Sequence, residues 1–230
     1  MKRILYAAVV IIVLALVAYF FLTRSAIAPV QETGQAPTPQ AVTVSTSTLA
    51  EEGTDYSVHA EYPQFGISAI DEQIRSAVAA GADELKKQAA TDTPVSHGFR
   101  KYEFIGTFSD VYTGPEFISV REVVAQDTGG AHPLPVMLGL SFNRATGKML
   151  TLDDALALTG LTLAQVAEQS KAQLSAKLGS DIIAPEGFEA NPDNYSAFVV
   201  HENNVIFIFQ PYQVAPYSAG APETVFARQK

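Results

Sequence analysis

Residues 4–22 contain no charge, no proline and no glycine, and only Met1, Lys2 and Arg3 precede them. As an α-helix rising 1.5 Å per residue, this run is about 28 Å long, close to the roughly 30 Å of a bilayer hydrocarbon core. Lys2 and Arg3 are expected to hold the short end on the cytoplasmic side. The reading is a single-pass membrane anchor at 4–22, with a cytoplasmic stub at 1–3 and everything beyond Arg24 outside the cytoplasm, at the cell membrane. A cleaved signal peptide competes, because Ala26-Ile27-Ala28 resembles a small-residue cleavage site. The run exceeds the roughly 7–15 residues of a signal h-region and Pro29 follows the cut, which favours a retained anchor.

Lys2, Arg3 and Arg24 are the only charged residues up to position 24, so the remainder holds 12 of the 15 basic residues and all 24 acidic ones. A domain this acidic is unsuited to nucleic acid or to anionic lipid headgroups, and suits cationic partners. The chain has no cysteine, which excludes disulfides, thiolate nucleophiles, cysteine metal sites and a lipidated cysteine.

Residues 25–53 are rich in Ala, Pro, Thr, Ser and Gln without apolar periodicity, and read as a disordered linker. Beyond them the pattern predicts strands at 54–65, around Tyr102, Phe104 and Phe108, and at 117–125, 136–142, 197–200 and 205–209. A helix is predicted from Ser68 to about Ala90, with Ser68 and Asp71 as a capping box and Ile70, Ile74, Ala77, Val78 and Leu85 as its apolar stripe. Thr151 with Asp154, and Thr162 with Gln165, are two further capping boxes; the second opens a helix that Gly179 ends. Residues 143–148 form a hairpin loop with Gly147 at positive φ. Runs of strands with helices set apart give an α+β fold. It divides into an N-terminal subdomain (54–128) and a C-terminal subdomain (129–230), each an antiparallel sheet with packed helices.

Two clusters stand out. In Gly129-Gly130-Ala131-His132-Pro133 the glycines permit a sharp turn, and Pro133 restricts His132 to extended backbone. In the segment 210–220, two prolines after an apolar strand forbid a central strand and specify an irregular excursion carrying Tyr212, Gln213 and Tyr217. Their rings either face a ligand or pack over the core. His132, Tyr212, Gln213 and Tyr217 are the candidate binding residues. No second histidine or carboxylate stands at metal-ligand spacing from His132, and no nucleophile or phosphate-loop motif is present. No catalytic residue, metal or cofactor is therefore assigned, and no enzyme activity is expected.

These clusters, with Tyr62-Pro63 before a helix, the 142–152 hairpin running into Asp153-Asp154, and Asn191-Pro192-Asp193-Asn194-Tyr195, resemble a bacterial envelope module. It is similar to the extracellular domain of the lysozyme-sensing anti-sigma factor of Firmicutes, and to the non-catalytic N-terminal region of a peptidoglycan N-acetylmuramic acid deacetylase. The resemblance covers about 54–226 and implies a two-part α+β domain. The sigma-binding segment and the metal-dependent catalytic domain have no counterpart here. What the resemblance implies is a membrane-tethered recognition domain that binds a cell-wall glycan or a cationic wall hydrolase such as lysozyme. The alternatives are a peptidoglycan-modifying hydrolase or deacetylase, and a structural envelope domain without a ligand.

Overall fold

The structure is a computed structural model that describes residues 41–92, 100–130 and 132–229. The apolar run at 4–22 and His97 lie outside the described residues. Among the described residues, no helix is long and apolar enough to cross a membrane.

The first lobe is a five-stranded sheet in the order β1 (Ser45–Glu52), β2 (Tyr56–Gln64), β3 (Tyr102–Thr113), β4 (Phe117–Asp127), β5 (Leu134–Asn143). All neighbours are antiparallel except β2 and β3. Those two are parallel because α1 (Ser68–Thr91) carries the chain between them. One face of α1, formed by Ile70, Ile74, Val78, Ala82, Leu85 and Ala89, is buried against Val58, Ala60, Phe104, Ile118, Val120, Leu140 and Phe142. Gly81, which weakens a helix in isolation, is what lets α1 seat here: a Cβ would lie 3.0 Å from the Phe104 ring.

The second lobe is a three-stranded antiparallel sheet, β6 (Phe198–Val200), β7 (Asn204–Ile208) and β8 (Glu223–Ala227), packed by α2 (Leu152–Thr159) and α3 (Leu163–Leu178). Both helices start with the reciprocal capping boxes read from Thr151–Asp154 and Thr162–Gln165. Tyr195 is fully buried, donates its hydroxyl to the Phe188 carbonyl at 3.0 Å, and meets Phe207 and Phe209 edge-on. The Gln173 side chain bonds both the N–H and the carbonyl of Val225 on the outer strand β8.

The lobes share a seam. The Ser119 hydroxyl donates to the Val200 carbonyl at 2.7 Å, and the Val200 N–H faces the Ser119 and Ser141 hydroxyls. Gly139 lies so close to the Phe198 backbone that no side chain fits between them. Arg121 spans the lobes, reaching Glu223 at 2.5 Å and Asp110 at 3.5 Å.

The α+β class stands, but the first sheet is mixed rather than antiparallel, because the helical crossover makes β2 and β3 parallel. Four further expectations change. Residues 45–52 of the expected linker are strand β1, paired along their whole length with β2; an edge strand needs only one apolar side, and here Ser, Thr and Glu alternate with half-buried Ser47, Leu49 and Glu51. The first lobe extends past 128, because β5 pairs with β4 and completes its sheet. Ser68 does not cap α1: Ile67 holds the cap position without a side-chain bond, and Asp71 instead accepts from the Phe65 N–H at 2.7 Å across the Gly66 turn (φ +71°). Finally, β8 is a strand that the pattern did not announce.

Candidate functional site

The β4–β5 hairpin and the excursion after β7 meet at one end of the molecule. β5 binds the excursion through Gln210, whose side chain engages both backbone groups of Met137. Gln213 then folds the excursion onto the second lobe. Its Oε1 accepts from the Gln210 N–H at 2.8 Å, and its Nε2 donates to the carbonyls of Gly187 and Asn194 at 3.1 and 2.9 Å. Val214 and Ala215 are buried, while Pro216 leads into a single 3-10 turn at Tyr217–Ala219. Between these fixed points Tyr212 takes φ +69°, one of two non-glycine residues at positive φ among those described. That backbone turns its side chain outward, at a cost of about 1–2 kcal/mol.

Three of the four expected site residues come together. His132 and Tyr217 have ring centroids 4.5 Å apart, Tyr212 and Tyr217 5.6 Å, and His132 and Tyr212 6.5 Å. Tyr212 is 46% and Tyr217 40% exposed, and His132 is exposed as well. The rings therefore face solvent rather than the core. His132 Nδ1 lies 2.9 Å from the Pro133 carbonyl, which can only accept, so Nδ1 carries the proton. In the neutral ring Nε2 is then the acceptor for the Tyr212 hydroxyl, 3.4 Å away. The fourth residue, Gln213, spends its amide on backbone groups and acts as the scaffold of the loop.

Two charged features escaped the sequence reading. Glu122 is fully buried on the inward face of β4, opposite Phe108 and Leu138, and neither carboxyl oxygen has a hydrogen-bond partner. Burial pushes its carboxyl up to about 8. Its even-numbered place among Ile118, Val120 and Val124 was the available signal. The second is the seam cluster, in which His201 Nε2 lies 3.1 Å from Asp110 Oδ1 and its ring stacks on Tyr112. Asp110 sits at φ +49° in an irregularity of the β3–β4 pairing, so only the fold brings it to His201. Among the described residues, no three His, Asp or Glu side chains are placed to hold a metal ion.

Comparison with known proteins finds a partial family match. The model of a protein family of unknown function, DUF3298, matches residues 152–228. The matched stretch runs from α2 through β8 and contains Tyr212, Gln213 and Tyr217; His132 lies outside it. The chain is 24% identical over 151 residues to immunogenic protein MPT64 of Mycobacterium tuberculosis and to immunogenic protein MPB64 of Mycobacterium bovis. The matched stretch is 66% of this chain and 66% of each relative, just under two thirds of their length. A DUF3298 family protein from Pseudomonas aeruginosa PAO1 shares the fold, with a TM-score of 0.54 at 15% identity over 81% of this chain and 95% of that one. A DUF3298 family member from Bacteroides fragilis gives a TM-score of 0.49 at 14% identity over 81% and 91%.

Proposed function

We propose that the protein is a membrane-tethered, extracytoplasmic recognition domain of the bacterial cell envelope, and that it contacts its ligand through His132, Tyr212 and Tyr217. The observation that carries this reading is the ring cluster: three aromatic side chains from two separate loops gathered at the surface. Exposed aromatics are costly to leave in water, and they recur as the anchors of binding surfaces. The loop that bears them is pinned on both sides, so little ordering entropy remains to be lost on binding. The apolar run at 4–22 supports the tether, and the acidic balance of the remainder supports an encounter with basic wall enzymes. The resemblance to the lysozyme-sensing anti-sigma factor and to the deacetylase's non-catalytic region supports the same compartment and a wall component as ligand, either glycan or a cationic hydrolase.

The test is capture by the full-length protein in detergent, with purified sacculi and egg-white lysozyme offered in parallel. Tyr217→Ala is expected to weaken capture by roughly 30-fold, the equivalent of about 2 kcal/mol at a central anchor, with an unchanged melting temperature. Equal capture by the variant, or a melting temperature that falls in step with the lost capture, would return the rings to a purely structural role.

A further inference from the structure

The three rings do not form a cage. The His132 and Tyr212 planes lie within 16° of each other, yet their centroids are 6.5 Å apart, too far for face-to-face overlap. The Tyr212 hydroxyl meets His132 Nε2 edge to edge. The two rings are therefore near-parallel, displaced sideways and joined at their edges. Tyr217 is different: at 4.5 Å from His132, tilted 32°, it can only lie against the face of that ring, and it leans on Tyr212 at 31°. Tyr217 thus backs one face of His132, and the exposure of His132 and Tyr212 leaves near-parallel ring surface open to solvent beside it.

A cation is best held where several ring faces turn toward a common point, and here they do not. A platform with one open face and polar groups at its rim suits a ligand that is itself flat, apolar on one face and rich in hydroxyls and amides at its edge. That is the chemistry of a pyranose ring. Resting on the recognition role proposed above, we infer that the open face of the His132–Tyr212 pair is a stacking site for an uncharged saccharide, with the N-acetylhexosamine backbone of a wall glycan as the class that fits. Tyr217 is the backing ring that holds His132 in plane. The ring edges supply the polar partners: the Tyr212 hydroxyl accepts from a sugar hydroxyl while still donating to His132, and the Tyr217 hydroxyl is available to the ligand's rim.

The experiment titrates the full-length protein with a tetramer of N-acetylglucosamine, followed by ring-proton NMR of the tyrosines, beside a parallel titration with egg-white lysozyme at low and high salt. Saccharide binding is expected to be insensitive to salt. It should shift the Tyr212 ring signals and fall at least about 10-fold in both Tyr212→Ala and His132→Ala, with stacking largely restored in Tyr212→Phe. Saccharide affinity that survives both alanine changes overturns the stacking site. So does the absence of saccharide binding in a protein that still captures lysozyme through Tyr217, although the recognition role then stands. Failure to capture saccharide, sacculi or lysozyme removes both.

Discussion

Gln210 answers both backbone groups of Met137: its Oε1 accepts from the Met137 N–H and its Nε2 donates to the Met137 carbonyl, each at 2.8 Å. One side chain thereby takes the place of a missing strand at the edge of β5. Gln210→Ala should destabilise the protein by about 1–3 kcal/mol, the net worth of two half-buried hydrogen bonds. It should also weaken any ligand bound at the rings without touching a ring. Urea unfolding, with hydrogen exchange at the Met137 amide, checks both; slow exchange in the variant would show that β5 and the excursion stay docked without it.

Glu122 makes stability depend on pH in an unusual direction. Its carboxyl has an ordinary value of 4.5 and is raised to about 8 by burial. Between those values the folded state holds a proton that the unfolded state has lost, so stability falls as pH rises from about 4.5 to about 8 and levels off above. The full swing is on the order of 4–5 kcal/mol. Glu122→Gln, which keeps the shape without the titration, should flatten the melting temperature across this window and raise it at pH 8 and above. Parallel profiles for the two proteins would show that Glu122 is not the source of the slope.

Tyr212 holds a backbone conformation that favours glycine. Both Tyr212→Ala and Tyr212→Gly delete the ring, but only glycine removes the strain. The glycine variant is expected to be the more stable of the two, by about 1 kcal/mol, reversing the usual order of alanine over glycine. Chemical denaturation distinguishes them, and an alanine variant as stable as the glycine one would mean that the turn relaxes once the ring is gone.

Gly139 is where β5 touches the Phe198 backbone. A methyl group there has only main chain to push against, so Gly139→Ala should cost about 1–3 kcal/mol or more and loosen the seam between the lobes. The Val200 N–H, which donates to the Ser119 and Ser141 hydroxyls, should lose its protection from exchange first. Limited proteolysis that reports no new cleavage at 197–204 would argue that the seam absorbs the change.

Much of the first lobe and of the helices was legible locally. The stripe of α1, the two capping boxes and the Gly147 turn (φ +67°) each depend on residues within a few positions of one another. What escaped depends on distant partners. β1 is polar enough to pass for linker until β2 pairs with it, and β8 is short and read as a strand only beside β7. The site shows both sides of this: His132 and the two tyrosines were singled out one by one, but their meeting depends on a hydrogen bond between residues 137 and 210 that no spacing announces. Glu122 was hidden for another reason, because a carboxylate in a strand reads as solvent-facing unless the parity of its neighbours is followed.

The chain enters the sheet at Ser45, at its outer edge and beside Gln64. His132 follows Asp127, at the opposite end of the strands and on the far side of the sheet. Entry point and rings therefore occupy diagonal corners, separated by about 19 Å of sheet width before any strand length is added. A surface that grips the chain beside Ser45, be it a resin, a sensor chip or a fusion partner, therefore holds the corner of the sheet diagonal to the rings, and large, insoluble ligands meet the opposite one.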